Sequence, residues 1–417
     1  MKHRYTHGLI ILIIIISSFD LGAQWAHKSS LPGPARWKAA SFVIGNKIYV
    51  VGGMDALGNI LSDVWQYDML TNTWMPMSDF PGPARCAAVA FAVNNKGYLS
   101  TGDVGNNHFL KDMWEYDPVA DLWTQKASLF SASYQRREAI VFTIGVKAYI
   151  GFGEGWHFGD TNTLTTLYDL MEYNTQTDAW NFLPSLSYTN NPGKMAVAAT
   201  VNNKGYVGLG GNLNQSIGYQ NFWEFDPDSS SWTKKADFPS VSTLDAAAFS
   251  HNSRIYVVGG ISPSDNFLSR QFYEYDPGSD SWKKLMDFDG GFIAGEYAVS
   301  DGTRAFVGTG FTGAITTCSD LWELTNVISA PTTGLDSHKL QVIHAGVFPN
   351  PATDIISITS SFKVQDVEIY DAKGSLVLSE KNNFDGISVL NLENGIYCVK
   401  LNYENAESST LKFIKNP

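Results

Sequence analysis

Tyr49-Val-Val-Gly-Gly53 returns five more times down the chain, as Tyr98-Leu-Ser-Thr-Gly102, Tyr149-Ile-Gly-Phe-Gly153, Tyr206-Val-Gly-Leu-Gly210, Tyr256-Val-Val-Gly-Gly260 and Phe306-Val-Gly-Thr-Gly310. The last glycines are 49, 51, 57, 50 and 50 residues apart. An aromatic residue followed by apolar residues makes a buried strand, and the closing glycine supplies a tight turn. A period of about 50 residues means one sheet-sized unit repeated around or along an axis.

A second motif follows each copy of the first. Val64-Trp-Gln-Tyr-Asp68, Met113-Trp-Glu-Tyr-Asp117, Leu170-Met-Glu-Tyr-Asn174, Phe222-Trp-Glu-Phe-Asp226, Phe272-Tyr-Glu-Tyr-Asp276 and Leu321-Trp-Glu-Leu-Thr325 alternate as strands do. Asp-Pro at 117, 226 and 276 is turn chemistry. A third motif, a tryptophan just past the turn, occurs as Trp74, Trp123, Trp180, Trp232 and Trp282. The sixth copy is missing after Trp322, where the chain runs on towards Pro331. Trp25 supplies it from the other end. A first strand completing the last sheet joins the two ends and leaves no mismatched edge.

With all three motifs in order, residues 24–327 resemble the kelch-repeat family, which implies an all-β, six-bladed β-propeller closed by its N-terminal strand. Small residues precede each tyrosine strand (Ala39-Ala40, Ala87-Ala88, Ala139, Ala196 to Ala199, Ala246 to Ala248, Ala298). They suit the innermost strands, where sheets crowd around a channel.

The chain carries a net charge of −12, and −13 once residues 1–23 are removed, so a phosphate backbone is repelled and no nucleic-acid partner is expected. Cys86, Cys318 and Cys398 are odd in number and scattered, which fits neither a disulfide framework nor a zinc site. Lys2, Arg4, the apolar run from Leu9 to Ile16 and Leu21-Gly22-Ala23 read as a signal peptide over 1–23. No later stretch is expected to cross a membrane, and the propeller is expected to be monomeric.

After a linker at 328–346, residues 347–417 change character. Phe348-Pro-Asn-Pro-Ala352, Val367-Glu-Ile-Tyr-Asp371, Gly395-Ile-Tyr-Cys-Val399 and Thr410-Leu-Lys-Phe-Ile414 predict a small β-sandwich. Together these stretches resemble the type A sorting domain of the type IX secretion system. The resemblance implies the secretion machinery as a partner and delivery to the outer surface or the medium. An adhesive or carbohydrate-binding sandwich is the alternative.

Repeat position selects the candidate site residues. Arg36, Arg85 and Arg136 each stand 13 residues before the motif tyrosine, and Lys194 stands 12 before its own. They are expected at one channel mouth, holding an anionic ligand or else tying down loops. The longest loop, from Glu154 to Tyr168, offers Trp156 for stacking on a sugar ring, with His157, Glu154, Asp103 and Tyr188 as polar neighbours. Three functions follow. The first is non-catalytic recognition of a glycan or protein ligand at the loop-rich mouth. The second is a sugar-active enzyme such as a sialic-acid mutarotase, which the exported kelch ring resembles, with Glu154 or Glu296 and Arg136 as acid and base. The third, a copper oxidase of the galactose-oxidase kind, is disfavoured because His27, His108, His157 and His251 follow no ligand spacing. No metal and no cofactor is expected. Gly308-Thr-Gly-Phe-Thr-Gly313 matches a dinucleotide fingerprint but belongs to the repeat and opens no helix.

Overall fold

The computed structural model describes residues 24–129, 135–156, 163–186, 193–212, 217–241, 243–264, 267–313, 316–325 and 327 of one compact unit, which spans 1–331. In a second unit, spanning 332–417, it describes residues 345–348, 352–360, 363–371, 374–381, 384, 386–403 and 408–416. The proposed signal peptide lies outside the described residues. These contain no α-helix.

In the first unit the described strands form six four-stranded antiparallel sheets, alongside short loop ribbons. The first sheet runs Ala40–Ile44, Lys47–Val51, Val64–Asp68, Thr73–Met77 from inside to outside. The next four repeat this order, starting from Val89–Val93, Ile140–Ile144, Val197–Val201 and Ala247–His251. The sixth consists of Tyr297–Ser300, Ala305–Gly313, Thr316–Leu324 and, outermost, Trp25–Lys28. Each innermost strand packs against the next, and the sixth packs against the first, so the sheets form a closed ring.

The repeated aromatics explain how the sheets hold together. In four sheets the motif tyrosine stacks on a phenylalanine of the innermost strand, as Tyr98 does on Phe91 at 4.9 Å and Tyr149 on Phe142 at 4.9 Å. The hydroxyl donates to the third strand, from Tyr98 to Glu115 at 2.7 Å and from Tyr49 to the Gln66 amide oxygen at 2.8 Å. Neighbouring sheets come close enough that a Cβ on Gly97 would lie 2.2 Å from the Phe42 ring, so this position has room only for glycine. At the periphery, the turn residue accepts from its own sheet's tyrosine and from the backbone of the preceding sheet. Asp178 takes the Tyr173 hydroxyl at 2.7 Å and the Ala127 amide at 2.8 Å. The outer tryptophan then donates across the same seam: Trp180 Nε1 to Ala127 O at 2.7 Å, and Trp282 Nε1 to Ala236 O at 2.9 Å.

The second unit holds a four-stranded sheet ordered Leu376–Glu380, Val364–Tyr370, Gly395–Tyr403, Ser408–Lys415 and a three-stranded sheet ordered Ala345–Phe348, Ile355–Ser360, Ile387–Ser388. Both contribute to one core, including Ile356, Ile358, Ile369, Val399, Leu401 and Phe413. This is the small sandwich that the alternating pattern predicts.

The register of the closing strand makes Trp25 the sixth copy of the outer tryptophan. It stands opposite Leu324, just as Trp74 stands opposite Tyr67. Trp25 is 2% exposed and packs at 5.1 Å from Phe272 and 4.9 Å from Phe288. Ser29, immediately beyond this strand, accepts the Trp74 indole N–H at 2.7 Å, so the strand touches both flanking sheets. Loss of one buried tryptophan costs about 3–5 kcal/mol. Deleting residues 24–30 is therefore expected to lower the thermal unfolding midpoint markedly, as followed by circular dichroism. An unchanged midpoint would mean the strand contributes nothing to closure.

Candidate functional site

Side chains alternate across a strand, so every second residue of the six innermost strands faces the axis. They line a channel of about 440 Å3. The first tier is Ala39, Ala88, Ala139, Ala196, Ala246 and Glu296, five alanines and one glutamate. Deeper in, small and hydroxyl residues dominate, ending in Thr143, Thr200, Ser250 and Ser300.

The residue before each first-tier position forms the lip: Lys38, Ala87, Glu138, Met195, Asp245 and Gly295. All six adopt a left-handed backbone, with φ of 52°, 52°, 54°, 57°, 57° and 62°. The reversal aligns a belt of backbone hydrogen bonds from sheet to sheet: Ala87 N to Lys38 O at 3.0 Å, Glu138 N to Ala87 O at 3.0 Å, Asp245 N to Met195 O at 3.1 Å, Gly295 N to Asp245 O at 2.8 Å, and Lys38 N to Gly295 O at 2.7 Å. A non-glycine residue in this region costs about 1–2 kcal/mol, and the belt offsets that cost.

A cavity of about 170 Å3 opens at the lip, bounded by Lys38, Glu138, Met195, Asp245 and Glu296 among small residues. The Lys38 ammonium donates to Glu138 Oε1 and lies 3.8 Å from Asp245 Oδ2. Burial opposes the Lys38 charge, but Asp245 and Glu138 outweigh it and raise its pKa. Glu138 also resists burial: the charges of Lys38, Arg137 and Lys194 hold it below the usual carboxylate range. Asp245 goes the other way, raised by burial and by the Glu138 charge against the pull of Lys38. Glu296 is driven furthest, well above an ordinary carboxyl, by burial and the nearby Asp245. Its Oε1 accepts the Ala247 amide at 3.3 Å. Glu138 Oε2, Asp245 Oδ2 and Glu296 Oε2 are buried with no hydrogen-bond partner.

Above the lip lies an ion-paired chain. Arg137 binds Asp103 Oδ2 and Glu154 Oε2, both at 2.7 Å, and Lys194 binds Glu154 Oε1 at 2.6 Å. Of the residues expected here, the structure therefore brings together Asp103, Glu154, Lys194 and, at the floor, Glu296. Trp156 is half-buried against Phe109, with ring centroids 5.7 Å apart. His157 and Tyr188 lie outside the described residues. The one-residue offset of Lys194 puts it in the repeat position of Arg137, not of Arg136.

The three arginines are placed differently from the expected cluster at the mouth. Arg36 is fully buried, its guanidinium bidentate to Asp63 at 2.6 Å and 2.6 Å and donating to Gly52 O at 2.9 Å and Pro34 O at 3.0 Å. Arg85 grips Asp112 and Arg136 grips Asp169 in the same manner. Burial works against the Asp63 charge, yet the Arg36 bonds hold its pKa below the ordinary value. Each arginine fastens the loop before its sheet to the loop before the third strand. Where the arginine gives way to Gly193 or Thr243, the matching acid becomes Asn221 or Gln271. The pairing was legible as Asp at 27, 27 and 33 residues after the arginine. Lys38, Glu138 and Asp245 carry no repeat signal in the sequence, because no two repeats share a residue at the lip.

Comparison with known proteins agrees with this architecture. The family model described as KLHDC2/KLHL20/DRC7 Kelch-repeats domain matches residues 18–208, and the Kelch motif matches 242–288. A solved structure described as "Structure of YjhT" superposes with a TM-score of 0.59 at 14% identity, covering 73% of this chain and 98% of that one. No curated protein sequence matches the chain. The first unit is a kelch-repeat β-propeller. Residues 346–416 match the secretion system C-terminal sorting domain, so the chain is a kelch propeller fused to a type IX sorting domain and exported by that route.

Two measurements probe these assignments. Arg85→Ala removes a buried guanidinium and leaves the half-buried Asp112 without its cation, and removing one partner of such a pair costs about 3–5 kcal/mol. Chemical denaturation should show a loss of that size; a loss below about 1 kcal/mol would return Arg85 to the ligand-binding candidates. Glu296→Gln tests the floor. A carboxyl whose pKa is raised on folding carries no penalty below its ordinary value of 4.5, and the penalty grows as the pH climbs towards the folded-state value. The variant should match the parent near pH 4 and melt higher near pH 8, as read by thermal scans across pH. A difference independent of pH would contradict a Glu296 carboxyl raised by burial.

Proposed function

We propose that this protein is an exported recognition module that binds a sugar at the channel mouth formed by Lys38, Glu138, Asp245 and Glu296. The observation that carries the reading is the set of three buried carboxyl oxygens, one each from Glu138, Asp245 and Glu296, with no hydrogen-bond partner around a single cavity. A buried polar atom left unpaired costs about 1–3 kcal/mol, so such a group is kept where something arrives to satisfy it. The opposed shifts matter too. Glu138 stays an acceptor while Asp245 and Glu296 are pushed towards the protonated, hydrogen-donating form. A cluster that both donates and accepts suits adjacent hydroxyl groups. Export through a type IX sorting domain brings such a mouth to extracellular glycans.

A second reading rests on the same opposition. Two carboxyls whose surroundings drive their pKa values apart form an acid–base pair. Glu138 as base would take the anomeric hydroxyl proton while Glu296 protonates the ring oxygen. The C1–O5 bond would then break to the open aldehyde, which recloses on either face.

The test is titration of the full chain against a glycan panel by calorimetry, with anomer exchange followed by NMR. Recognition predicts saturable binding that Glu296→Gln weakens by about tenfold, the value of one buried hydrogen bond. Catalysis adds anomer exchange that the same variant abolishes. Binding insensitive to Glu296→Gln would move the site elsewhere.

A further inference from the structure

The residues just above the lip divide the mouth into two unlike halves. Six equivalent positions, each facing a loop residue across a short antiparallel pairing, make the pairs Trp37–Met54, Cys86–Asp103, Arg137–Glu154, Lys194–Gly211, Leu244–Ile261 and Ala294–Phe311. The run from the second to the fourth sheet holds the ionic chain of Asp103, Arg137, Glu154 and Lys194. The run from the fifth sheet round to the first is apolar, and its half-buried members are Trp37, Met54, Ile261 and Phe311. Trp37 is the central feature. Its ring is held 5.5 Å from Phe311, it lies under the Lys38 ammonium at 4.9 Å, and it abuts Gly295 so closely that a Cβ there would come within 3.0 Å.

The charges of the polar half are already engaged. Arg137 is held by two carboxylates, Lys194 by one, and Lys38 by Glu138 with Asp245 beside it. Arg36, Arg85 and Arg136 are each committed to their own aspartate. With Lys38 matched by Glu138, the oxygen that this carboxylate leaves without a hydrogen bond, Glu138 Oε2, is anionic and would repel a ligand carboxylate while accepting from a hydroxyl. An aromatic face beside hydroxyl-matching carboxyls is the surface that a sugar ring fits, since the C–H face of the ring stacks on indole while its edge carries the hydroxyls.

We infer that the mouth takes a neutral pyranose, with the apolar ring face on Trp37 and the hydroxyls on Glu138, Asp245 and Glu296, and that it rejects carboxylated sugars. This specificity rests on the sugar-binding reading above and narrows it. Cation–π contact with Lys38 fixes the indole plane, so the stacking surface is set before the ligand arrives.

The experiment is calorimetric titration of the full chain with matched pairs that differ by one carboxyl: glucose against glucuronate, galactose against galacturonate, and N-acetylglucosamine against N-acetylmuramate. At least one neutral member is expected to bind about tenfold or more tightly than its acidic partner. Trp37→Ala should weaken that binding about tenfold, with Trp37→Phe restoring most of it. Thermal scans of both variants check that the ring is intact, and the phenylalanine variant keeps the test valid if the alanine variant unfolds. Preference for the acidic member, with binding still weakened by Glu296→Gln, would overturn the specificity and leave the site standing. Neutral-sugar binding weakened by Glu296→Gln but unmoved by Trp37→Phe and Trp37→Ala would overturn the stacking. Failure of every sugar to bind would overturn both this inference and the reading beneath it.

Discussion

Six strands can approach one axis only if the side chains between them are small. That crowding governs the rest of the propeller. It accounts for the alanine tier at Ala39, Ala88, Ala139, Ala196 and Ala246, and for the glycine at 97 where a neighbour's Phe42 ring presses against the strand. It also gives Glu296 its meaning. A glutamate in a tier of alanines is desolvated by the same packing that makes the ring stable, and its raised pKa is the electrostatic record of that. Packing alone gives no reason for a carboxyl there.

Stability and binding draw on different residues of the same repeat. The buried arginines and their aspartates hold the loops between sheets, with every nitrogen of the Arg36 and Arg85 guanidiniums hydrogen-bonded within the protein. The positions one and two residues further along, which include Lys38, Arg137, Glu138, Lys194 and Asp245, vary from sheet to sheet. The frame is thus carried by what repeats and the chemistry by what does not. Loops that a rigid scaffold holds in place are where specificity is usually built.

The sequence was legible in proportion to its periodicity. Strand order, the outer tryptophans and the role of Trp25 follow from motifs that recur six times, because burial in equivalent places demands equivalent residues. The arginines stand out by spacing, and their aspartates follow at 27, 27 and 33 residues, the third pair being stretched by a longer loop. The lip defeated the same method, since Lys38, Ala87, Glu138, Met195, Asp245 and Gly295 share a backbone conformation and no chemistry. A left-handed residue immediately before a run of small ones is a conformational signal, which residue type does not reveal. Of the residues around the lip cavity, Glu296 is the one that the sequence offers, as an acid–base candidate beside Glu154 and Arg136.

The closing strand sets an order of events on the chain's biosynthesis. Trp25–Lys28 leaves the ribosome first, yet its partner, Thr316–Leu324, is made almost 300 residues later. Until then the ring is an open arc with two unpaired edges, and only the fully translated propeller can seal itself. The sorting domain lies beyond that partner. A chain long enough to present its export address has therefore already acquired everything it needs to close, so a prematurely terminated propeller is excluded from passage by the position of the address alone.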